Sequence, residues 1–336
     1  MLVALIVLIA AAVVFDFLNG FHDSSNIVAT MISSRAFTGR QALAIVTIGE
    51  TVGPFLFGVA VAKTVGHDVV SGEAITVAVV IAALVGAIVW NILTWWLGIP
   101  SSSSHALIGG IIGAVAVEHG FDHIHREGLQ KILIALFASP IIGIVIGFIV
   151  QRTILQTLRR TAAGPGVNKF FRVGQFFTAC GLALSHGTND AQKTMGMIAL
   201  GLVATGYEQE FNVPWWVIAI SATAIGAGTA AGGWRLIKTL GFGFYKIWPI
   251  HAFTTQVSSA AVIMGAALVG GPVSTTQVVS GVIVGAGASE SVRKVRWQVV
   301  GNILVAWVLT IPAAGTVAAG TYFAVKFAMS VSGVEI

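Results

Sequence analysis

The sequence predicts an all-α polytopic membrane protein made of two inverted-topology repeats of about five crossings each, 10–12 segments in all. Three observations predict it. Of 336 residues, 56% are hydrophobic and only 9% charged, where a soluble domain carries about a quarter charged residues. Apolar runs of about 20 residues, the length that crosses a hydrocarbon core of about 30 Å, recur from Met1 to Phe327 between short polar breaks. Polar motifs of the first half recur, in the same order, in the second.

The mean hydropathy of +0.91 leaves no stretch for a soluble domain. The forty glycines fit a membrane interior, where small residues let helices approach closely and pack without a hydrophobic drive. A pI near 9.6 could suggest nucleic acid, but the basic residues sit in a few short loops, so nucleic-acid binding is excluded. Cys180 is the single cysteine and forms no intrachain disulfide. No Lys or Arg precedes the first apolar stretch, and Asp16 and Asn19 follow it, so no cleaved signal peptide is expected and Met1 begins the first span.

Apolar runs between charged breaks give crossings at about 1–34, 41–62, 74–97, 99–117, 130–151, 173–204, 214–234, 249–270, 272–288 and 297–325. The first and sixth are too long for one simple helix. Each holds a polar cluster, Asn19 to Asn26 and Ser185 to Lys193, so both are expected to be broken or re-entrant. Basic residues gather at Arg35/Arg40, Arg152 to Arg172, Arg235 to Lys246 and Arg293 to Arg296, alternating with the acidic breaks Asp68/Glu73 and Glu208/Glu210. Basic loops face the cytoplasm, which puts both termini outside and turns the second half upside down. The first repeat is then 1–151 and the second 173–336. The basic linker 152–172, with Arg159, Arg160, Gly164, Pro165 and Gly166, joins them. A multi-pass protein of the cell inner membrane follows.

The repeat is visible in the motifs. Gly20-Phe-His-Asp-Ser-Ser-Asn26 matches Gly187-Thr-Asn-Asp-Ala-Gln-Lys193, pairing Gly20 with Gly187 and Asp23 with Asp190. Pro100-Ser-Ser-Ser-Ser-His105 matches Pro272-Val-Ser-Thr-Thr-Gln277, followed by Gly109-xxx-Gly113 and Gly281-xxx-Gly285. Function is sought on these paired segments.

Proline followed by hydroxyl residues starts a helix, so Pro100 and Pro272 mark two helix N-termini. Such a terminus aims free N–H groups and partial positive charge ahead of it, which suits a phosphate-like anion. Ser102, Ser103 and Ser104, with Ser274, Thr275 and Thr276, add hydroxyl donors. A single Ser/Thr cluster is more often a plain cap; two symmetric clusters reverse those odds. Carboxylates at membrane depth are costly unless paired, so Asp23, Asp190 and Glu50 need cations. An anion beside them needs positive charge to arrive with it, and Na⁺ held by carboxylate, amide and backbone oxygens would supply it. Lys193 either balances Asp190 permanently or is an ordinary ion-pair partner. Glu50 reads as a coupling carboxylate ahead of a buried helix–helix contact. His22, His105 and His186 are assigned hydrogen-bonding roles, and His119, His123 and His125 surface solvation, since their spacing is no metal-ligand pattern.

Asn-Gly-Phe-His-Asp at 19–23, His-Gly-Thr-Asn-Asp-Ala-Gln-Lys at 186–193 and the two Pro-Ser/Thr blocks resemble the inorganic phosphate transporter family, over nearly the whole chain. The resemblance implies a homodimeric secondary carrier importing orthophosphate, driven by Na⁺ or alternatively H⁺, with its site between inverted repeats. It places Asp23, Asn26, Asn189 and Asp190 in the ion and phosphate region, with Na⁺ on those four, and makes the Ser/Thr blocks phosphate donors. It implies about twelve segments, which ten crossings give when the first and sixth count twice. The large central loop of eukaryotic relatives is absent, which points to a prokaryotic form. No cofactor is expected beyond the co-transported cation.

The nearest alternative is a carrier of sulfate or another tetrahedral oxyanion. Phosphate near neutral pH still carries a proton and rewards an acceptor such as Asp23, which sulfate does not. A membrane enzyme lacks a nucleophile–base pair or metal triad here, and a channel needs no occluded, symmetric carboxylates.

Overall fold

The computed structural model describes residues 2–67, 75–160 and 166–331. The acidic break at Asp68/Glu73 and the linker residues Gly164 and Pro165 lie outside them. The described residues form helices and connections without strands. The helices are α1 (Leu2–Asp23), α2 (Ser25–Ser33), α3 (Gly39–Val52), α4 (Ala60–His67), α5 (Val77–Leu97), α6 (Ser103–Glu118) and α7 (Arg126–Arg160), then α8 (Val167–Ala204), α9 (Trp215–Ala231), α10 (Trp234–Phe242), α11 (Pro249–Leu268), α12 (Thr275–Glu290) and α13 (Trp297–Val331).

Local chemistry sets the boundaries. Thr38 and Gln41 form a capping box that opens α3. Thr76 caps α5 by accepting from Val79 N–H, and Gly98 closes the same helix in the left-handed region at φ 71°, which a glycine enters without strain. Four spans are long and apolar enough to cross a membrane: Leu2–Ser33, Val77–Leu97, Arg126–Arg160 and Trp297–Val331. Two bent pairs qualify only when joined, Gly39–Phe55 with Ala60–Gly66 at 76° and Trp215–Ala231 with Trp234–Phe242 at 72°.

The expected break in the sixth stretch is corrected by α8, which runs unbroken for 38 residues. Its polar side chains answer one another along the helix, His186 to Asp190 at i,i+4 and Asp190 to Lys193 at i,i+3, so the backbone has no need to unwind. The first stretch is interrupted only at Ser24, whose φ of −52° and ψ of −28° are still helical. The sharp bends fall in the second stretch of each half. Pro54 in the short 3₁₀ turn Gly53–Phe55 and Gly58 at φ 76° end the α3 run, and Gly232 at φ 70° ends α9.

Helices from the two parts of the chain pack against one another in pairs. Helix α6 lies along α13 and α12 along α7; α1 packs on α9, and α3 on α8. The Gly-xxx-Gly pairs make the first two contacts possible. A Cβ at Gly113 would collide with the Gly315 carbonyl of α13, and one at Gly285 with the Ile144 carbonyl of α7. Pro140 and Pro312, inside α7 and α13, occupy matching places opposite these stripes. Two buried apolar clusters result. One joins α1, α4, α5 and α6 to the second half of α8, and the other joins α2, α3, α10, α11 and α12. Apolar side chains such as Ile134, Ile141 and Phe148 on α7, and Val305, Val308 and Phe323 on α13, remain exposed, as lipid contact requires. Beyond the apolar part of α12, Glu290 pairs with His251 Nε2 at 2.5 Å and with Lys294. The His251 hydrogen bond, followed by that of Lys294, outweighs burial and holds the Glu290 carboxyl down at about 2.

Gly285→Ala should therefore destabilise the protein by about 1–3 kcal/mol, because a methyl group has no room against α7. Gly265→Ala, where nothing lies within 4 Å, should be neutral or stabilising. Thermal unfolding of both variants in detergent checks the contrast, and equal melting temperatures would contradict it.

Candidate functional site

Two helix starts and two acidic stretches converge in the interior. Residues 99–102 and 271–274 precede α6 and α12, and the caps are Ser102 and Ser274, with φ of −109° and −85°. Their hydroxyls accept from His105 N–H and Gln277 N–H. Ser102 and Ser274 are thus helix caps that keep their own O–H protons, and Pro100 and Pro272 stand two residues ahead of them rather than in the first turn. The donors follow immediately. Ser103 and Thr275 open the helices proper, with Ser104 and Thr276 next.

Ser103 Oγ donates to Asp23 Oδ2 at 2.9 Å, and Thr275 Oγ1 donates to Asp190 Oδ2 at 3.0 Å. These bonds are equivalents across the two halves. Thr276 Oγ1 donates to Asp23 Oδ1 at 2.9 Å, so Asp23 receives one hydroxyl from each half. Asn26 Nδ2 donates to Thr276 Oγ1 at 3.0 Å. Ser104 differs, because its hydroxyl donates to the Val273 carbonyl at 3.2 Å and ties the start of α6 to the approach of α12. Asn189 Nδ2 reaches both Asp190 Oδ1 at 2.8 Å and the Val273 carbonyl at 3.1 Å. His22 Nδ1 lies 2.7 Å from Asp23 Oδ1, as Asn189 neighbours Asp190 in the other half.

Charge is tightly arranged. Lys193 pairs with Asp190 and is 1% exposed, so a whole ammonium sits in the interior. His186 bridges the remaining carboxylates, with Nδ1 3.0 Å from Glu50 Oε1 and Nε2 3.2 Å from Asp190 Oδ2. Thr229, at the end of α9, donates to Glu50. Oxygens of Asp23 and Asp190 and a nitrogen of His186 all fall within 4.8 Å of one another. Three carboxylates therefore face one permanent cation, Lys193, in a region closed to solvent. The side-chain oxygens of Asn26 and Asn189 have no hydrogen-bond partner, which leaves two neutral oxygen ligands beside the acidic pair. Carboxylate, hydroxyl and amide oxygens are the donor set of a hard cation.

Close backbone contacts set this geometry. Gly20 rests on the Ile225 carbonyl of α9, and Gly187 on the Glu50 carbonyl of α3, matching contacts in the two halves. A side chain at either glycine would push Asp23 or Asp190 away from the hydroxyls.

Sequence reasoning gave His186 and His22 only generic hydrogen-bonding roles and did not single out Thr229. His186 could have been read from its i,i+4 spacing to Asp190. Thr229 carried no local signal, because only the packing of α9 brings it to Glu50. Asp16 also went unassigned, although the cost of a carboxylate at membrane depth applies to it as much as to Asp23.

Comparison with known proteins agrees with this architecture. The model of the phosphate transporter family matches residues 19–318. A probable low-affinity inorganic phosphate transporter of Rhizobium meliloti (strain 1021) is 44% identical over 321 residues, covering 95% of this chain and 96% of the relative. A protein of the same description from Bacillus subtilis (strain 168) is 41% identical over 326 residues, covering 96% and 97%. Among solved structures, one described as the sodium-dependent phosphate transporter superposes with a TM-score of 0.87 at 22% identity, covering 97% of this chain and 99% of that one. That likeness speaks for the fold. With the family model spanning most of its length and the aligned relatives matching it nearly end to end, this multi-pass membrane chain belongs to the phosphate transporter family.

Proposed function

We propose that the protein imports inorganic phosphate by secondary active transport, coupled to Na⁺ and alternatively to H⁺. The observation that carries this reading is the convergence of Ser103, Thr275 and Thr276, from helix starts in both halves, on Asp23 and Asp190. The names of the relatives support phosphate as the cargo, and that of the structural neighbour supports Na⁺.

The coupling follows from competition for hydrogen bonds. Each hydroxyl has one proton, and in this arrangement it is given to a carboxylate. A phosphate between the two helix starts would take those protons, leaving Asp23 and Asp190 buried without donors, at a cost of about 1–3 kcal/mol for each unsatisfied group. A cation on the carboxylates, with Asn26 Oδ1 and Asn189 Oδ1 as further ligands, removes that cost and balances the anion's charge. Phosphate and cation then bind together or not at all. Lys193 holds part of the charge balance at Asp190 in every state, and Glu50, through His186, joins the same network. A protonated phosphate can also donate to Asp23, which sulfate cannot.

The proposal extends to topology and assembly. The halves are inverted repeats, residues 1–151 and 173–336, joined by the linker 152–172 on the cytoplasmic side, with both termini outside. The protein functions as a homodimer in the cell inner membrane. The symmetric bends after α3 and α9, next to Glu50 and Thr229, are suited to let one half move against the other and open the occluded site to either side.

Uptake of radiolabelled phosphate into proteoliposomes, under separately imposed Na⁺ and H⁺ gradients, tests the function. Stimulation by an inward Na⁺ gradient is expected, with sulfate a poor competitor; uptake indifferent to both gradients would refute coupling. Asp23→Asn and Asp190→Asn should each abolish coupled uptake while normal amounts of protein reach the membrane.

Thr275→Val with Thr276→Val keeps the shape of the α12 start and removes two donors. Hydrogen bonds to charged groups contribute about 1.5–3 kcal/mol each, so the phosphate concentration for half-maximal uptake should rise at least tenfold. An unchanged phosphate dependence with altered Na⁺ dependence would reassign this block to the cation alone.

A further inference from the structure

One face of α7 lines two cavities in turn. Ile141, Ile144, Phe148, Arg152, Leu155 and Arg159 follow one another at intervals of three or four residues, which keeps them on a single side of the helix. Ile141 and Ile144 border an apolar groove of about 190 Å³, closed on its other sides by α12 at Gly281 and Val284 and by the first turns of α13 from Trp297 to Leu304. Phe148, next along the face, is exposed. Arg152, Leu155 and Arg159 then border a second cavity of about 520 Å³, shared with Ser289 and Glu290 at the end of α12. Arg152 stands eight residues past Ile144, about 12 Å along the helix at 1.5 Å per residue.

The two cavities differ in charge. No charged residue lines the groove. Glu290 is the one carboxylate lining the second cavity, and it is already engaged: Gln151 Nε2 donates to its Oε1 at 3.2 Å, His251 Nε2 lies 2.5 Å from the same oxygen, and Lys294 pairs with Oε2. Among the described residues Arg152 and Arg159 form no ion pair, nor does Arg293 in the turn between α12 and α13. Trp297 joins that basic turn to the groove, its Nε1–H donating to the Val292 carbonyl, and an indole in such a place marks a membrane–water interface.

An apolar groove that runs into a basic cavity along one helix face fits an occupant with both parts, a hydrocarbon chain and an anionic head. Guanidinium groups suit phosphate oxygens in particular, because their N–H donors are arranged as a planar fork. A soluble anion would leave the groove unfilled, and a zwitterionic lipid would bring a cation of its own towards the arginines. Basic pockets between membrane helices at headgroup depth are settings in which anionic lipids bind.

We propose that this face seats one anionic glycerophospholipid, its phosphate on Arg152 and Arg159 and one acyl chain in the groove between α7, α12 and α13. The site rests on the membrane fold and not on the proposed cargo. A lipid so placed touches three helices at once and braces α12, whose start carries Thr275 and Thr276.

Native mass spectrometry of the delipidated full-length protein, titrated in detergent with phosphatidylglycerol or phosphatidylcholine of identical chains, tests the site. The native chain should bind one phosphatidylglycerol per protomer at least tenfold more tightly than phosphatidylcholine. Arg152→Gln with Arg159→Gln should erase that preference at an unchanged melting temperature. Arg40→Gln with Lys238→Gln, which removes the same charge from two exposed positions elsewhere, should preserve it. Leu304→Trp, which fills the groove from its exposed rim, should weaken both lipids. Glycerol 3-phosphate at millimolar concentration should displace neither. Equal binding of the two lipids to the native chain, equal losses from the two charge-removing pairs, or unchanged phosphatidylglycerol binding in Leu304→Trp would overturn the proposal; displacement by glycerol 3-phosphate would overturn it in favour of a soluble anion. Should the arginine double variant not fold, Arg159→Gln alone, in the exposed last turn of α7, should lower the preference several-fold, and an unchanged preference would overturn the site.

Discussion

Everything at the centre of this protein depends on keeping carboxylates in a membrane interior. Asp23, Asp190 and Glu50 are essentially inaccessible to solvent, and an unpaired charge there loses several kcal/mol of solvation. The fold answers with donors from the same helix and from distant parts of the chain. Asp23 draws Ser103 from α6 and Thr276 from α12; Asp190 draws Thr275, Asn189 and Lys193; Glu50 draws His186 and Thr229. Apart from Asn189 and Lys193, which share α8 with Asp190, each of these contacts holds two elements from different parts of the chain in register. The carboxylates are therefore both the reason the helix starts converge and the chemistry they converge on.

The same constraint explains where the chain bends. A polar cluster in a membrane helix can be satisfied by unwinding the backbone or by side chains that answer one another. In α8 the spacings of His186, Asp190 and Lys193 allow the second solution, and the helix stays whole. In α1 and α2, Ser24 and Ser25 donate to the carbonyls of Phe21 and His22, and the axis passes with little interruption. The bends move to Pro54 and Gly232, where a missing N–H and a left-handed residue stop a helix regardless of polarity. They flank Glu50 and Thr229, so the bends touch the charged network directly.

Small residues play the complementary part. Helices α6 and α12 are only 16 residues each and hold the hydroxyl donors at their starts. Their glycine stripes let them lie on the backbones of α13 and α7, whose 35 residues make them the long outer supports. Membership of the phosphate transporter family places this arrangement among transport proteins rather than enzymes.

The sequence by itself determined the membrane class and the all-helical architecture, because composition and apolar run length are local properties. It also singled out Asp23, Asp190 and the two Ser/Thr blocks as candidates, since buried charge and helix starts are legible one segment at a time. Which hydroxyl meets which carboxylate was decided only in three dimensions: Ser103 and Thr276 come within reach of Asp23 from 80 and 253 residues away. Tertiary packing likewise sent Ser104 to a carbonyl and brought Thr229 to Glu50. Helix α8 stays unbroken where its polarity suggested a break, because helical spacing lets His186, Asp190 and Lys193 pair along the helix. A run of residues can declare that its charges need partners; only the packed chain supplies them.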